Sequence, residues 1–171
     1  GHSTLAATLT AALQSLARAI TPNEAKHGQG VTALGRLSAN GNSQSLAAFF
    51  LVYAHRRVRN YPEAIRVAHS LEQKHPNSAM VKMAIGSCHA HSRDLVNAER
   101  YYRQALALAP HDPAAHLGLA NVLTKRGQLD QARDVADDVV RFDAAGKLRI
   151  LHDALLSDIA VRAALPHRRV P

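Results

Sequence analysis

The 171-residue chain carries 21 Lys and Arg against 13 Asp and Glu, a formal net charge of +8, and 47% of it is apolar. Aromatics make up only 4%, Trp is absent, and Cys88 is the sole cysteine, which excludes a disulfide framework and a zinc site built mainly from Cys. No apolar run approaches the ~18–20 residues of a membrane-spanning helix.

Abundant Ala and Leu with few aromatics suits closely packed helices better than sheets. The positive field favours acidic partners and keeps nucleic acid under consideration, and the eleven His add charge under mild acid. Gly1-His2-Ser3 reads as the remnant of a cleaved tag. The expected location is cytoplasmic, or periplasmic if a signal or anchor once preceded this start.

In chain order, Thr4 to Ile20 has a helical pattern with Leu5, Leu9, Leu13 and Leu16 on one face. Thr21-Pro22-Asn23-Glu24 has the form of a capping box. Gly28 and Gly30 are expected to interrupt the chain, Val31 to Ala39 reads as helical, and Asn40-Gly41-Asn42 as a turn. Residues 1–44 thus form an N-terminal helical segment, either a degenerate repeat or a separate packing element.

From Ser45 onward one period dominates. Ala64, Ala98 and Ala132 stand 34 residues apart, as do Leu51, Ile85 and Leu119, and Tyr61, Leu95 and Leu129. Pro76 and Pro110 share that spacing, with Ala144 in the next place. Three copies follow, Ser45–Ser78, Ala79–Asp112 and Pro113 to about Gly146, each holding two helical patterns. In the second copy these span Ala79 to His91 and Leu95 to Leu108, where Pro110 ends the pattern. Asp112-Pro113 reads as an N-cap followed by proline at the first helical position. Gly127 marks the turn inside the third copy. Lys147 to Ala164 reads as one more amphipathic helix, with Leu148, Leu151, Leu155, Ile159 and Leu165 as its apolar side. Residues 147–165 are assigned as a capping helix and 166–171 as a mobile tail.

This pattern closely resembles the tetratricopeptide repeat family, a 34-residue helix–turn–helix unit, over residues 45–146. Small residues stand at the eighth position (Val52, Gly86, Ala120) and alanine at the twentieth (Ala64, Ala98, Ala132). The large residue of the twenty-fourth position is present only as Tyr102, with Ala68 and Ala136 in the other copies. The resemblance implies an all-α, right-handed α-solenoid of about three helix pairs that binds another protein along its concave side. The lining positions it implies are Leu46, Phe49, Tyr53 and Arg56; Met80, Met83, Ser87 and Ala90; and Ala114, Leu117, Asn121 and Thr124. The N-terminal segment is the alternative occupant of that groove. Phe49 and Tyr53 stand where the family's carboxylate clamp would begin, so that mode is rejected. The apolar lining is loosely similar to secretion chaperones and assembly scaffolds of the family.

A second feature keeps the period. Arg56, Arg57 and Arg59, then His91 and Arg93, then Lys125 and Arg126, end the first helix of each copy and are expected to form a basic ridge. Such a ridge suits an acidic segment or a phosphate backbone, while cations also favour helix C-termini for dipole reasons alone.

No catalytic constellation is legible, and the chain is expected not to be an enzyme. Cys88 reads as a small buried residue, Ser87 lacks a nucleophile elbow, His89 and His91 diverge on their helix, and His111 with His116 is too small a set for a metal. No phosphate-cradling glycine loop is present, and neither a cofactor nor a metal is expected. The function read from the sequence is therefore a protein-interaction module: an adaptor, scaffold or chaperone subunit. Nucleic-acid binding by the ridge, and recruitment within a larger enzyme, are the alternatives.

Overall fold

The computed structural model describes residues 28–34 and 44–165, together with isolated helical positions between 7 and 18. It divides into two compact units, Gly1–Asn77 and Ser78–Pro171. The expectations for Leu5, Leu9, Leu13 and Leu16, for the 21–24 capping box, for the 40–42 turn and for the 166–171 tail fall outside the described residues. Among the described residues all regular structure is helical.

The first unit holds α1 (Gln44–Arg57) and α2 (Tyr61–Lys74), packed as an antiparallel hairpin. Ser45 Oγ lies 2.7 Å from His75 Nε2, which ties the start of α1 to the end of α2. Residues 28–34 are helical, so Gly28 and Gly30 do not interrupt the chain as expected. Gly30 and Leu34 are buried, at the positions 34 residues before Ala64 and Ala68.

The second unit holds α3 (Ala79–His91), α4 (Leu95–Leu108), α5 (Pro113–Lys125), α6 (Leu129–Phe142) and α7 (Arg149–Ala164). Helices α3 and α4 begin and end at the residues predicted. Ser78 caps α3 by accepting the Val81 N–H at 3.4 Å. Asp112 caps α5 more strongly, accepting from the N–H groups of Ala114 at 2.8 Å and Ala115 at 3.1 Å, with Pro113 opening the first turn. α3 pairs with α4, α5 with α6, and α4 packs on α5. First helices also touch first helices, α3 on α5 and α5 on α7, whereas the described residues show no such contact between α4 and α6. Within this unit the first helices therefore form the closer-packed layer.

The 34-residue period reappears in burial. Ala64, Ala98 and Ala132 have no exposed surface, and Leu51, Ile85 and Leu119 are buried with them. Cys88 is fully buried, as are Ala54 and Val122, which stand 34 residues before and after it in the sequence. Each of the larger aliphatic side chains so buried contributes about 1.5–3 kcal/mol of transfer free energy. A Cβ at Gly86 would lie 3.4 Å from the Ala98 carbonyl and 3.2 Å from the Tyr102 ring. The eighth and twentieth positions of the second copy thus meet, and a side chain at Gly86 would press on the Tyr102 ring.

The turns repeat as closely as the helices. The N–H groups of Asn60, Asp94 and Gln128 donate to the carbonyls of His55, His89 and Leu123 at 2.8, 2.9 and 3.0 Å. The residue before each donor, Arg59, Arg93 or Gly127, has φ of 61°, 67° or 77°. This is the left-handed helix ending that Gly normally supplies, here made twice by arginine.

α7 departs from the reading of its apolar side. Leu155 and Ile159 are buried, but Leu151 and Leu165 are exposed, and His152 takes the buried place instead. The reason is register. His152, Leu155 and Ile159 stand 36 residues after His116, Leu119 and Leu123, which are buried on α5. α7 is packed as the first helix of a further copy displaced by two residues, with Gly146 at φ 63° in the connection. The side of α7 that would meet its own second helix carries Leu151, left exposed.

Candidate binding surfaces

In the second unit the expected lining residues separate into three groups. Met80 stands out at 58% exposure, and Ala114 and Asn121 are exposed. Met83, Ala90 and Leu117 are half-buried because their inner sides pack on the core formed around Leu119, Leu123 and Ile159. Ser87 is half-buried, and its carbonyl accepts from His91 Nδ1 at 2.7 Å. Thr124 does not belong with them. It is buried, and its hydroxyl donates to the Ala120 carbonyl at 2.8 Å, so a methyl-bearing polar side chain is used as core.

In the first unit, Leu46 and Tyr53 are exposed, Phe49 is half-buried, and the Arg56 guanidinium lies 5.3 Å from the centre of the Tyr53 ring. At that distance the pair makes a cation–π contact. A cavity of about 280 Å³ lies between α1 and α2, floored by Ala48, Leu51, Val67 and Leu71 and rimmed by Arg66, Ser70 and Lys74. Arg66 is already paired with Glu63.

The basic positions are not one uncompensated surface. Arg57, Arg59, His91, Arg93 and Lys125 are exposed. Arg126 is ion-paired with Glu99 of α4, which also accepts from Arg103 at 2.9 Å. Glu99 is largely shielded and shared by the two arginines, which leaves the trio one net positive charge and ties the α5–α6 turn to the preceding hairpin. Asp94, at the start of α4, accepts from the Asn97 side chain at 2.6 Å, from the Asn97 N–H at 3.2 Å and from His89 Nδ1 at 3.0 Å. The Asn97 amide, with smaller help from its backbone N–H and His89, holds the Asp94 carboxyl below the usual carboxylate range against the opposing effect of burial.

His111 and His116 come together, though with each other only through a third ring. Their centroids lie 4.6 and 5.3 Å from that of Phe142. His116 Nε2–H donates to the Pro110 carbonyl at 2.8 Å, and its Nδ1 lies 3.8 Å from Asp138. This is a clasp between the α4–α5 turn and α6, and Phe142 is a member that the spacing of the histidines did not suggest. No group of three or more His, Cys, Asp or Glu is placed to hold a metal among the described residues. No described helix is long and apolar enough to cross a membrane.

Sequence reasoning also missed Gly118. It faces the ring of Tyr102 in the preceding copy, so closely that any Cβ there would overlap the ring. The signal was available: the one large residue at the twenty-fourth position, Tyr102, is followed one copy on by a glycine where Phe50 and Ala84 stand earlier.

Matched small residues, a 34-residue hydrogen-bond period and pairwise helix packing are what a repeat family looks like in three dimensions. Two tetratricopeptide repeat models match, over residues 49–113 and 89–155. The chain belongs to the tetratricopeptide repeat family. Its repeats are similar to a segment of cellulose synthase operon protein C from Pseudomonas fluorescens, 37% identical over 68 residues, which is 40% of this chain and 5% of that protein. The chain therefore corresponds to a small part of that relative. Among solved tetratricopeptide structures, the fold is similar to the TPR2B domain of yeast Sti1 in its pHsp70 complex, with a TM-score of 0.66 at 14% identity, covering 71% of this chain and 99% of that one. It is equally similar to a thermophilic TPR protein of Thermus thermophilus, with TM-score 0.66 at 14% identity and coverage of 82% and 81%. The tetratricopeptide fold is a scaffold for protein–protein interaction.

Proposed function

We propose that this chain is a binding module that holds a segment of a partner protein against the first helices of its repeats. The observation that carries this reading is Met80, a large apolar side chain exposed on a first helix whose neighbours Met83 and Leu117 are anchored in the core. An apolar residue held on a rigid support loses little entropy on binding, and methionine adapts to varied surfaces. Leu46 and Tyr53 give the first unit an exposed apolar pair of the same kind. Of the roles open to such a module, scaffold within a multi-protein assembly is supported by the likeness to a protein named for a cellulose synthase operon. The basic positions support nucleic-acid binding less well, because Arg126 is already engaged by Glu99 of α4.

The test is capture of partner proteins by the immobilised chain and by Met80→Asp and Tyr53→Ala variants. Both residues are exposed, so their loss leaves the helical circular-dichroism signal intact. Loss of a captured protein by either variant supports the reading; retention of every captured protein by both overturns it.

A further inference from the structure

α7 is apolar on two opposite sides. His152, Leu155 and Ile159 are buried on one of them. An α-helix turns about 100° per residue, which sets Ile150, Ala154, Ser157, Val161 and Ala164 on the side directly opposite, flanked by Leu151 and Leu165. All of these are exposed, the four large ones by 55–84%. α6, by contrast, turns Asp130, Gln131, Arg133, Asp134 and Asp137 to solvent, with Val140 as its one exposed large apolar residue. A helix that is apolar all round is the pattern of a helix covered on both sides.

The outer stripe advances by four, three, four and three residues, the spacing of a coiled-coil seam. It also reads nearly the same from either end. Leu151 and Leu165 stand seven residues before and after Asp158, and Ala154 and Val161 four before and three after. Laid against a reversed copy of itself, the helix brings Leu151 level with Leu165 and the small Ala154 level with Val161. Its charges are Arg149, Asp153, Asp158 and Arg162, so α7 is neutral on a chain of net charge +8. Arg162 Nε donates to both Asp158 oxygens, at 2.9 and 3.0 Å, on the Leu151 and Leu165 flank of the stripe. Reversal puts each Asp158 within about one turn of the other copy's Arg162 as well as its own. Asp153 lies on the far flank, 3.3 Å from His152 Nδ1, and Lys147 and Arg149 stand more than two turns from the centre.

We propose that α7 pairs with α7 of a second copy of this chain, antiparallel about a two-fold axis near Ser157 and Asp158. A two-fold interface must be self-complementary, and a reversed α7 supplies both the matching apolar spacing and the opposite order of charges. Two Asp158 carboxylates and two Arg162 guanidiniums then form a neutral cluster beside the apolar seam. A helix of 16 residues is about 24 Å long, so the interface is small and the dimer weak. Among the described residues α3, which carries Met80, makes no contact with α7, so the pairing is tested separately from partner binding.

Sedimentation equilibrium of the whole chain from about 5 µM to about 1 mM covers the range in which so small an interface associates. A reversible monomer–dimer equilibrium is expected. Val161→Glu, Asp158→Arg and Arg162→Asp should each weaken it at least ten-fold while the helical circular-dichroism signal is kept, since all three side chains are exposed. Mixing Asp158→Arg with Arg162→Asp should recover dimer, because each copy then offers the other the opposite charge. That recovery cannot come from repair within one helix, where both variants have lost the Asp158–Arg162 pair. Cys88 is fully buried, so an introduced thiol can be read on its own. Ser157→Cys should form a disulfide-linked dimer under oxidised glutathione, whereas Asp137→Cys on α6 should not. A chain that stays monomeric throughout, assembles beyond a dimer, or dimerises equally well with Val161→Glu and Asp158→Arg overturns the proposal. So does a mixture of the two charge variants that stays monomeric, or equal cross-linking of the two cysteine variants.

Discussion

The ring of Tyr102 on α4 occupies the space in which a Cβ at Gly118 on α5 would lie, and its other side lies 3.2 Å from the Cβ position of Gly86 on α3. One aromatic side chain thus joins two consecutive hairpins, and two glycines give it room. The relationship predicts a non-additive cycle. Gly118→Ala alone should destabilise the protein by about 1–3 kcal/mol, because the packed ring has nowhere to move. Tyr102→Ala should cost about 3–5 kcal/mol by leaving a cavity. In the Tyr102→Ala background, Gly118→Ala should be neutral or stabilising, since alanine is the better helix former by about 1 kcal/mol. Urea denaturation of the four proteins measures this, and additive single effects would refute the wedge.

Arg59, Arg93 and Gly127 share one left-handed backbone conformation, and only the glycine holds it without strain. An L-residue there carries about 1–2 kcal/mol of steric cost. Arg93→Gly should therefore raise stability by up to about 1 kcal/mol, part of the relief being offset by the freer unfolded chain. Gly127→Ala should lower it by about the same amount. Thermal melts of the two variants should move in opposite directions.

Asp94 links acid stability to the cap of α4. Its folded carboxyl is held below the usual range by Asn97, so its contribution is complete above the unfolded carboxylate pKa of about 4 and is lost as pH falls through the lower folded value. Asp94→Ala should cost about 1 kcal/mol at neutral pH, the ordinary worth of an N-cap. Below about pH 4 the gap between variant and wild type should narrow. A constant gap down to pH 2 in urea titrations would contradict this assignment.

Cys88 is fully buried. A thiol reagent should reach it only through opening of the α3–α4 hairpin, so labelling should be slow in buffer and immediate in strong urea. The Tyr102→Ala variant, with that hairpin loosened, should label faster at equal reagent.

Much of this was written in the spacing of small residues. The alanines at 64, 98 and 132 announced the crossings, Pro110 and Asp112-Pro113 placed the helix boundaries, and both depend on chain neighbours or on a strict period. The histidine clasp was half legible: His111 and His116 suggested proximity, but Phe142 is brought in by α6. Thr124 was misplaced because its position reads as surface in a general repeat, while its hydroxyl is satisfied by the Ala120 carbonyl one turn back. The ion pair of Arg126 within the basic ridge was not legible, because Arg126 and Glu99 lie 27 residues apart and no local pattern signals that they meet.

The amino-acid order alone determined the period, the helix limits and the family, because helix geometry and chain-local capping act over a few residues and the repeat multiplies them. Which face of α7 is buried was decided only by tertiary packing. Sequence periodicity admits Leu148, Leu151, Leu155 and Ile159 as one stripe, and the two-residue displacement against α5 selects His152, Leu155 and Ile159 instead. The same packing left Ile150 and Met80 facing solvent, since exposure depends on what a neighbouring helix covers and not on the residue's own hydrophobicity.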